Sequence, residues 1–175
     1  MKKNLFFLMG LLLLTFLSPP RVQADDVTIC SGTTTSSYAP VHSSYMDAVG
    51  STYQVIYPAS YFEDLVGSNI TGVKFYASNN LNFTGGSLQV SVGETESSTF
   101  SSATEITGLE KVANGISVSS TNNEFVLNFD NEYSYGGGNL VIEIKVLSAV
   151  TLNGYSAMNW NGIQASGKNV YCHDI

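Results

Sequence analysis

Four stretches of this chain alternate apolar and polar residues with a period of two, and Gly and Asn fill the gaps between them. In Asn139–Leu147, Leu140, Ile142, Ile144 and Val146 share one side, with Val141, Glu143 and Lys145 on the other. Glu124–Asp130 places Phe125, Leu127 and Phe129 together and Asn128 opposite. Ser87–Val92 aligns Leu88, Val90 and Val92, and Ile70–Ala77 aligns Val73, Phe75 and Ala77. A half-buried strand has this pattern, because successive side chains point to opposite faces. Gln54–Tyr57, Val27–Cys30, Gly115–Val118 and Gly162–Tyr171 are shorter or weaker strand candidates.

Turn-forming residues punctuate these stretches at Asn79-Asn80, Gly85-Gly86, Asn114-Gly115, Asn122-Asn123, Gly136-Gly137-Gly138, Asn153-Gly154 and Asn159–Gly162. Gly and Asn reach positive φ at little steric cost, so such pairs mark reversals. Short strands with frequent turns and no long helical period predict an all-β fold, an antiparallel two-sheet sandwich. The exception is Ser60–Val66, where Ser60 and Glu63 have capping-box spacing and Gly67 can close a turn. One or two helical turns are expected there. The Ser/Thr-rich segments Thr33–Ser44 and Thr95–Thr104 read as long surface loops, where mobility is expected.

The first 24 residues read as an export signal. Lys2 and Lys3 precede an apolar run of about 13 residues, shorter than the roughly 20 that span a bilayer. Pro19 and Pro20 end any helix, and Val22-Gln23-Ala24 suits signal-peptidase cleavage. The expectation is a signal peptide over 1–24 and one domain over 25–175, secreted or at the cell surface, with no membrane span after cleavage. The whole chain carries a formal charge of −7, with only 12% charged residues and 43% hydrophobic ones. That composition excludes an intrinsically disordered chain. The acidic balance argues against nucleic acid as a partner, since phosphates need a basic face.

The order of several segments resembles a known kind of module. Val27-Thr28-Ile29-Cys30-Ser31-Gly32 through Tyr38-Ala39-Pro40 is similar to the opening of secreted β-sandwich modules of Gram-negative anaerobes. Ser51-Thr52-Tyr53-Gln54-Val55-Ile56-Tyr57 resembles their Ser-x-x-Gln-x-Ile-Tyr element, and Ile70-Thr71-Gly72-Val73-Lys74-Phe75-Tyr76 their Ile-Thr-x-Ile-x-Phe-Tyr strand. Val92-Gly93-Glu94-Thr95, then Ser98-Thr99-Phe100, then Lys111-Val112 with Gly115 follow in the same order. Tyr133-Ser134-Tyr135-Gly136-Gly137-Gly138-Asn139-Leu140-Val141-Ile142 resembles their Phe-x-Tyr-x-Gly-x-x-Asn-Leu-x-Ile signature, with Tyr133 in place of Phe. These modules are related in architecture to cleaved-adhesin and choice-of-anchor J jelly rolls, which include adhesin regions of gingipain-type surface proteases. The resemblance implies a jelly-roll-like, non-catalytic surface module, often one part of a longer protein. Cys30 departs from the small or polar residue usual at its position, and the chain stops soon after the module.

Two cysteines, Cys30 and Cys172, lie near the two ends of the exported segment. In an oxidising compartment an even count suggests a disulfide, which would nominally stabilise by ~4–5 kcal/mol for so long a loop. Two buried free thiols are the alternative. A bonded form would have a mass two hydrogens below the reduced chain.

Few residues can support catalysis. Nucleophilic chemistry needs a base beside Ser or Cys, and only His42 and His173 are available. There is no Gly-x-Ser-x-Gly elbow and no HExxH metal motif. Gly136-Gly137-Gly138 is not followed by Lys and reads as a turn rather than a phosphate loop. Glu94 and Glu96 could form a glycosidase pair, but their polar surroundings read as an exposed loop without raised acidity constants. Asn128, Asp130 and Glu132 could offer oxygen to a structural Ca²⁺, without EF-hand spacing. No other cofactor is expected.

Aromatic residues beside Asn are the remaining clue. Trp160 with Tyr155 and Asn159, and Tyr133 with Tyr135, could stack on sugar rings if exposed. They could equally be core, where large rings bury most area. Tyr38, Tyr45 and Tyr53 are open to the same two readings. The sequence therefore points to a non-catalytic adhesion or carbohydrate-binding module with a glycan as partner. The alternative is a structural or protein-interaction module that engages a surface protein, alone or as the N-terminal part of a larger surface protein; a cryptic glycosidase is the third.

Overall fold

The computed structural model describes residues 27–29, 34–42, 45–78, 83–118, 120–121, 123–152, 159–162 and 169–172. The fold is all-β and sandwich-like, built from several antiparallel sheets. The largest sheet has five strands. At its centre β9 (Asn139–Ser148) lies between β2 (Thr52–Tyr57) and β5 (Ser87–Thr95). Its margins are β12 (Asn169–Cys172) beside β2 and β6 (Glu110–Ser117) beside β5. A second sheet orders β3 (Asn69–Tyr76), β8 (Glu124–Ser134) and β7 (Ser120–Thr121). Two small pairs complete the fold: β1 (Thr34–Ser36) with β11 (Trp160–Gly162), and β4 (Phe83–Thr84) with β10 (Thr151–Leu152). A single bridge from Ala77 to Trp160 links the β1–β11 pair to the end of β3.

The apolar sides predicted by alternation meet in one core. Leu140, Ile142, Ile144 and Val146 of β9 and Leu88, Val90 and Val92 of β5 pack with Phe125 and Leu127 of β8. Val73, Phe75 and Phe129 are half-buried against it. Removing these side chains from water is the main driving force for the assembly.

The outer face of the five-stranded sheet is covered as well. Opposite residues in paired strands share a face, so Gly93, Val141 and Ile56 form one row there. The connection between β5 and β6 returns across this face. A Cβ on Gly93 would lie 2.6 Å from Leu109 Cδ2, so the Leu109 side chain packs directly over the backbone of β5. Two strands away, Gln54 Nε2 donates to Ile106 O and Ile106 N donates to Gln54 Oε1, each at 2.8 Å. The Gln54 amide thus pairs with one backbone residue as a strand would. The segment expected to be mobile is exposed at Ser97–Thr99 and Ser101–Thr104, with Phe100 half-buried, and the chain is anchored just beyond it at Ile106.

Several local expectations change. Val27–Ile29 form no strand, although Ile29 packs on the core; Cys30 lies outside the described residues. Asn114-Gly115 is not a reversal but a bulge inside β6, where Gly115 adopts φ 82° and is skipped between the pairs Leu88–Ile116 and Gln89–Asn114. β6 therefore starts at Glu110, five residues earlier than the predicted strand at Gly115. A second shift skips Val112, so Val112 and Ala113 are both buried. Of the predicted strand Gly162–Tyr171, Gly162 belongs to β11 and Asn169–Tyr171 to β12, and 163–168 lie outside the described residues. Ser60–Val66 holds two single-turn 3₁₀ helices, Ala59–Tyr61 and Glu63–Leu65, without a side-chain cap. Of the predicted turn Asn122-Asn123, Asn122 lies outside the described residues, and Asn123 has φ 64° just before β8, which pairs with β7.

Candidate functional site

Glu94 continues the inward series Leu88, Val90, Val92 and so points an acid toward the interior at the rim of the sandwich. What meets it is the turn between β8 and β9. Gly136 N donates to Glu94 Oε1 at 2.7 Å, and Gly138 N donates to Oε2. Tyr133, buried at the end of β8, donates its hydroxyl to Oε1 at 3.1 Å. Cβ atoms on Gly136 and Gly138 would approach the carboxylate oxygens to 3.3 Å and 3.0 Å, and Gly137 has φ 111°. The glycine run is thus a cradle of backbone N–H groups shaped around one carboxylate.

This geometry sets the acidity constants. Burial would raise that of Glu94, but the amides of Gly136 and Gly138 and the Tyr133 hydroxyl outweigh it and hold the carboxyl below 4.5. Tyr133 is pushed up to about 12, by burial first and then by the Glu94 charge and hydrogen bond. Tyr135, buried nearby, is also raised, by burial and the same charge.

The rim is braced further. Tyr135 donates its hydroxyl to Gly138 O at 2.7 Å, and its backbone pairs with Gly67 and Ser68. Asn139 Oδ1 accepts from Ala59 N at 3.0 Å, and Asn139 Nδ2 donates to Glu96 O and Ser97 O. One amide thereby ties the 3₁₀ segment to the β5–β6 connection. Together Ala59, Glu94, Thr95, Glu96 and Gly137–Asn139 line a shallow depression of about 480 Å³.

Glu94 is therefore not the exposed loop acid that the sequence suggested, although Glu96 is. A general acid must hold its proton near neutral pH. Glu94 is held in the opposite state, with its oxygens committed to three donors. The signal for this was present: an acid at an inward strand position requires partners.

Trp160, Tyr133 and Tyr135 are core rings, which removes them as stacking surfaces. Trp160 lies among Phe75 and Phe125, and its Nε1 donates to Val41 O at 2.9 Å. Tyr53 is likewise buried, and donates to His42 O at 3.4 Å. Asn159 is half-buried, and its carbonyl accepts from Ser78 N at 2.8 Å. Tyr155 and His173 lie outside the described residues, as do Cys30 and the Cys172 side chain.

Asn128, Asp130 and Glu132 share the exposed face of β8 but serve different neighbours. Asp130 Oδ2 accepts from Asn114 N at 3.0 Å, bracing the bulge of β6, and Glu132 Oε2 accepts from Asn69 Nδ2 at 2.7 Å. Among the described residues no three His, Cys, Asp or Glu side chains gather as a metal site. Two of the trio expected for Ca²⁺, Asp130 and Glu132, thus tie β8 to β6 and to β3.

The first loop places aromatic rings at the surface. Tyr38 is 51% exposed, and its ring centroid lies 4.9 Å from that of His42. His42 in turn lies 4.8 Å from Tyr45. His42 is half-buried within this row. Comparisons with protein-family models, curated proteins and solved structures return no match.

Proposed function

We propose that the protein is a non-catalytic, exported binding module that acts in adhesion at a bacterial cell surface, with a glycan as its ligand. The observation that carries this reading is the commitment of Glu94. This inward-pointing rim acid is occupied by Gly136, Gly138 and Tyr133, so it braces the fold instead of exchanging protons. A retaining or inverting glycosidase needs a second carboxyl facing the first across a substrate-sized gap, with one of the two protonated. Export follows from the leader-like residues 1–24, and the jelly-roll resemblance agrees with a surface role.

A structural or protein-interaction module is the second reading. Tyr61 at 40% and Val66 at 56% exposure, on the 3₁₀ segment beside Gly137, favour it.

A glycan array probed with the purified exported protein, combined with an assay for released reducing sugar, separates these readings. Binding to a defined glycan class without hydrolysis is the expected result. Sugar release would overturn the non-catalytic reading. An array without signal, together with a protein partner captured from outer-membrane extract, would replace it with the second.

A further inference from the structure

Phe75 and Phe125 hold the β3–β8 pair to the core from beneath. They stand opposite each other in the ladder, with ring centroids 6.3 Å apart, and Phe75 also meets Trp160 at 6.5 Å. Just beyond, Ala77 bridges to Trp160, and its N–H donates to Asn123 O at 2.9 Å. The strand is therefore fixed on both sides of Tyr76. Alternation turns Tyr76 and Lys74 to the outer face, away from Phe75.

Three rows cross that outer face: Tyr76 opposite Glu124, Lys74 opposite Val126, and Gly72 opposite Asn128. Lys74 Nζ reaches diagonally to Glu124 Oε2 at 3.6 Å. The other diagonal joins two exposed apolar side chains, Tyr76 at 45% and Val126 at 39%. Among the described residues no ring packs on Tyr76 and no group hydrogen-bonds its hydroxyl. In the third row a Cβ on Gly72 would lie 2.9 Å from Leu127 O, a backbone atom, and 3.6 Å from Asn128 Oδ1. That row therefore carries the Asn128 amide alone, exposed and without a hydrogen bond among the described residues. A face ordered beforehand loses little conformational entropy when a ligand settles on it.

We propose that the outer face of the β3–β8 pair seats a neutral oligosaccharide, with one pyranose stacked on Tyr76 and a neighbouring sugar hydrogen-bonded to Asn128; this deepens the glycan-binding reading and rests on it. The C–H face of a pyranose is apolar and weakly positive, and it complements the negative face of an aromatic ring. The Asn128 amide offers both donor and acceptor, which matches a sugar hydroxyl. Tyr76 and the Gly72–Asn128 row lie four residues apart along β3, about 13 Å at the rise of a strand. One sugar ring does not cover that span, so the ligand has two or more. Charge selects among sugars. Lys74 is engaged by Glu124, which leaves Asp130 and Glu132 as the uncompensated charges of this face. Residues 25–175 carry four Lys against fourteen acids, a formal −10. Sulfated or sialylated chains are repelled at low ionic strength, whereas neutral hydroxyls can donate to the carboxylates.

The test uses the purified exported protein and its Tyr76→Ala, Tyr76→Phe and Asn128→Ala variants, on a glycan array and then by calorimetry with the neutral oligosaccharide of strongest array signal. Tyr76→Ala should weaken binding by ~10-fold or more, the loss typical of an aromatic anchor. Tyr76→Phe keeps the ring and should bind as the parent does. Asn128→Ala should weaken binding by ~3-fold or more, the worth of one hydrogen bond. All three melting temperatures should stay near that of the parent, because both side chains are exposed. Unchanged affinity in Tyr76→Ala would overturn the site while leaving the glycan reading intact. Parent binding confined to anionic glycans would overturn the neutral class. Self-association in sedimentation that Tyr76→Ala abolishes would give the face to a second copy instead. A parent that binds no glycan at all would overturn the glycan reading and the site with it.

Discussion

Glu94 shows how the role of a residue depends on what its backbone neighbours supply. Two amides and a phenol converge on a carboxylate at the sandwich rim. Removing it leaves those donors without their acceptor. Glu94→Ala should destabilise by about 2 kcal/mol in urea denaturation, and Glu94→Gln, which keeps the shape but loses the charge, by less. The pH dependence has a definite sign. A carboxyl held below 4.5 in the folded state contributes stability above that value and loses it as pH falls through its folded midpoint. The acid limb of the parent should therefore contain a component that Glu94→Gln lacks. Tyr133, raised from 10.0 to about 12, acts on the other side. Its contribution is complete below pH 10 and is lost as pH rises through about 12. Tyr133→Phe should flatten that alkaline limb, as measured by urea midpoints across pH. Trp160 offers a simpler test, since it is the one Trp in the chain and is 2% exposed. Its emission should be blue-shifted and resist acrylamide until the protein unfolds.

At the scale of elements, alternation located β5, β8 and β9, because period two leaves a direct trace of one buried face. Where both faces are covered, that trace fades. Thr52–Ile56 of β2 are all buried, with Tyr53 and Val55 facing the core and Gln54 and Ile56 lying under the β5–β6 connection. The polar Gln54, which begins the short predicted strand, pins that connection through Ile106. Gln54→Ala should leave the melting transition cooperative while raising proteolysis and hydrogen exchange around Ile106. The Asn-Gly pair at 114–115 misled for a related reason. Positive φ marks a bulge as readily as a reversal, and only the partner strand distinguishes them. The glycine cradle was equally illegible, because Glu94 lies 42 residues from Gly136 and no local pattern links them. Trp160 and Tyr135 were readable only as two alternatives, which burial decides. Gly86 carries a sharper constraint: at φ 77°, a Cβ there would lie 2.8 Å from Ala149 O and Val150 Cα. Gly86→Ala should lower the melting temperature markedly, since backbone cannot yield as a flexible side chain would.

Across the whole molecule, the buried rings and the acid Glu94 are spent on holding sheets, turns and connections together. Phe75, Phe83, Phe125 and Trp160 cluster between the elements, while Tyr133 and Tyr135 stabilise the rim around Glu94. The rings that stand exposed are Tyr38, Tyr61 and Tyr76, scattered over different elements. This division depends on Glu94 being a structural anion. Titration of its carboxyl carbon by NMR in the folded protein tests that point directly. A midpoint below 4.5, accompanied by slowly exchanging Gly136 and Gly138 amides, is the predicted result. A midpoint near neutrality would contradict it and return Glu94 to the ranks of acids able to donate a proton.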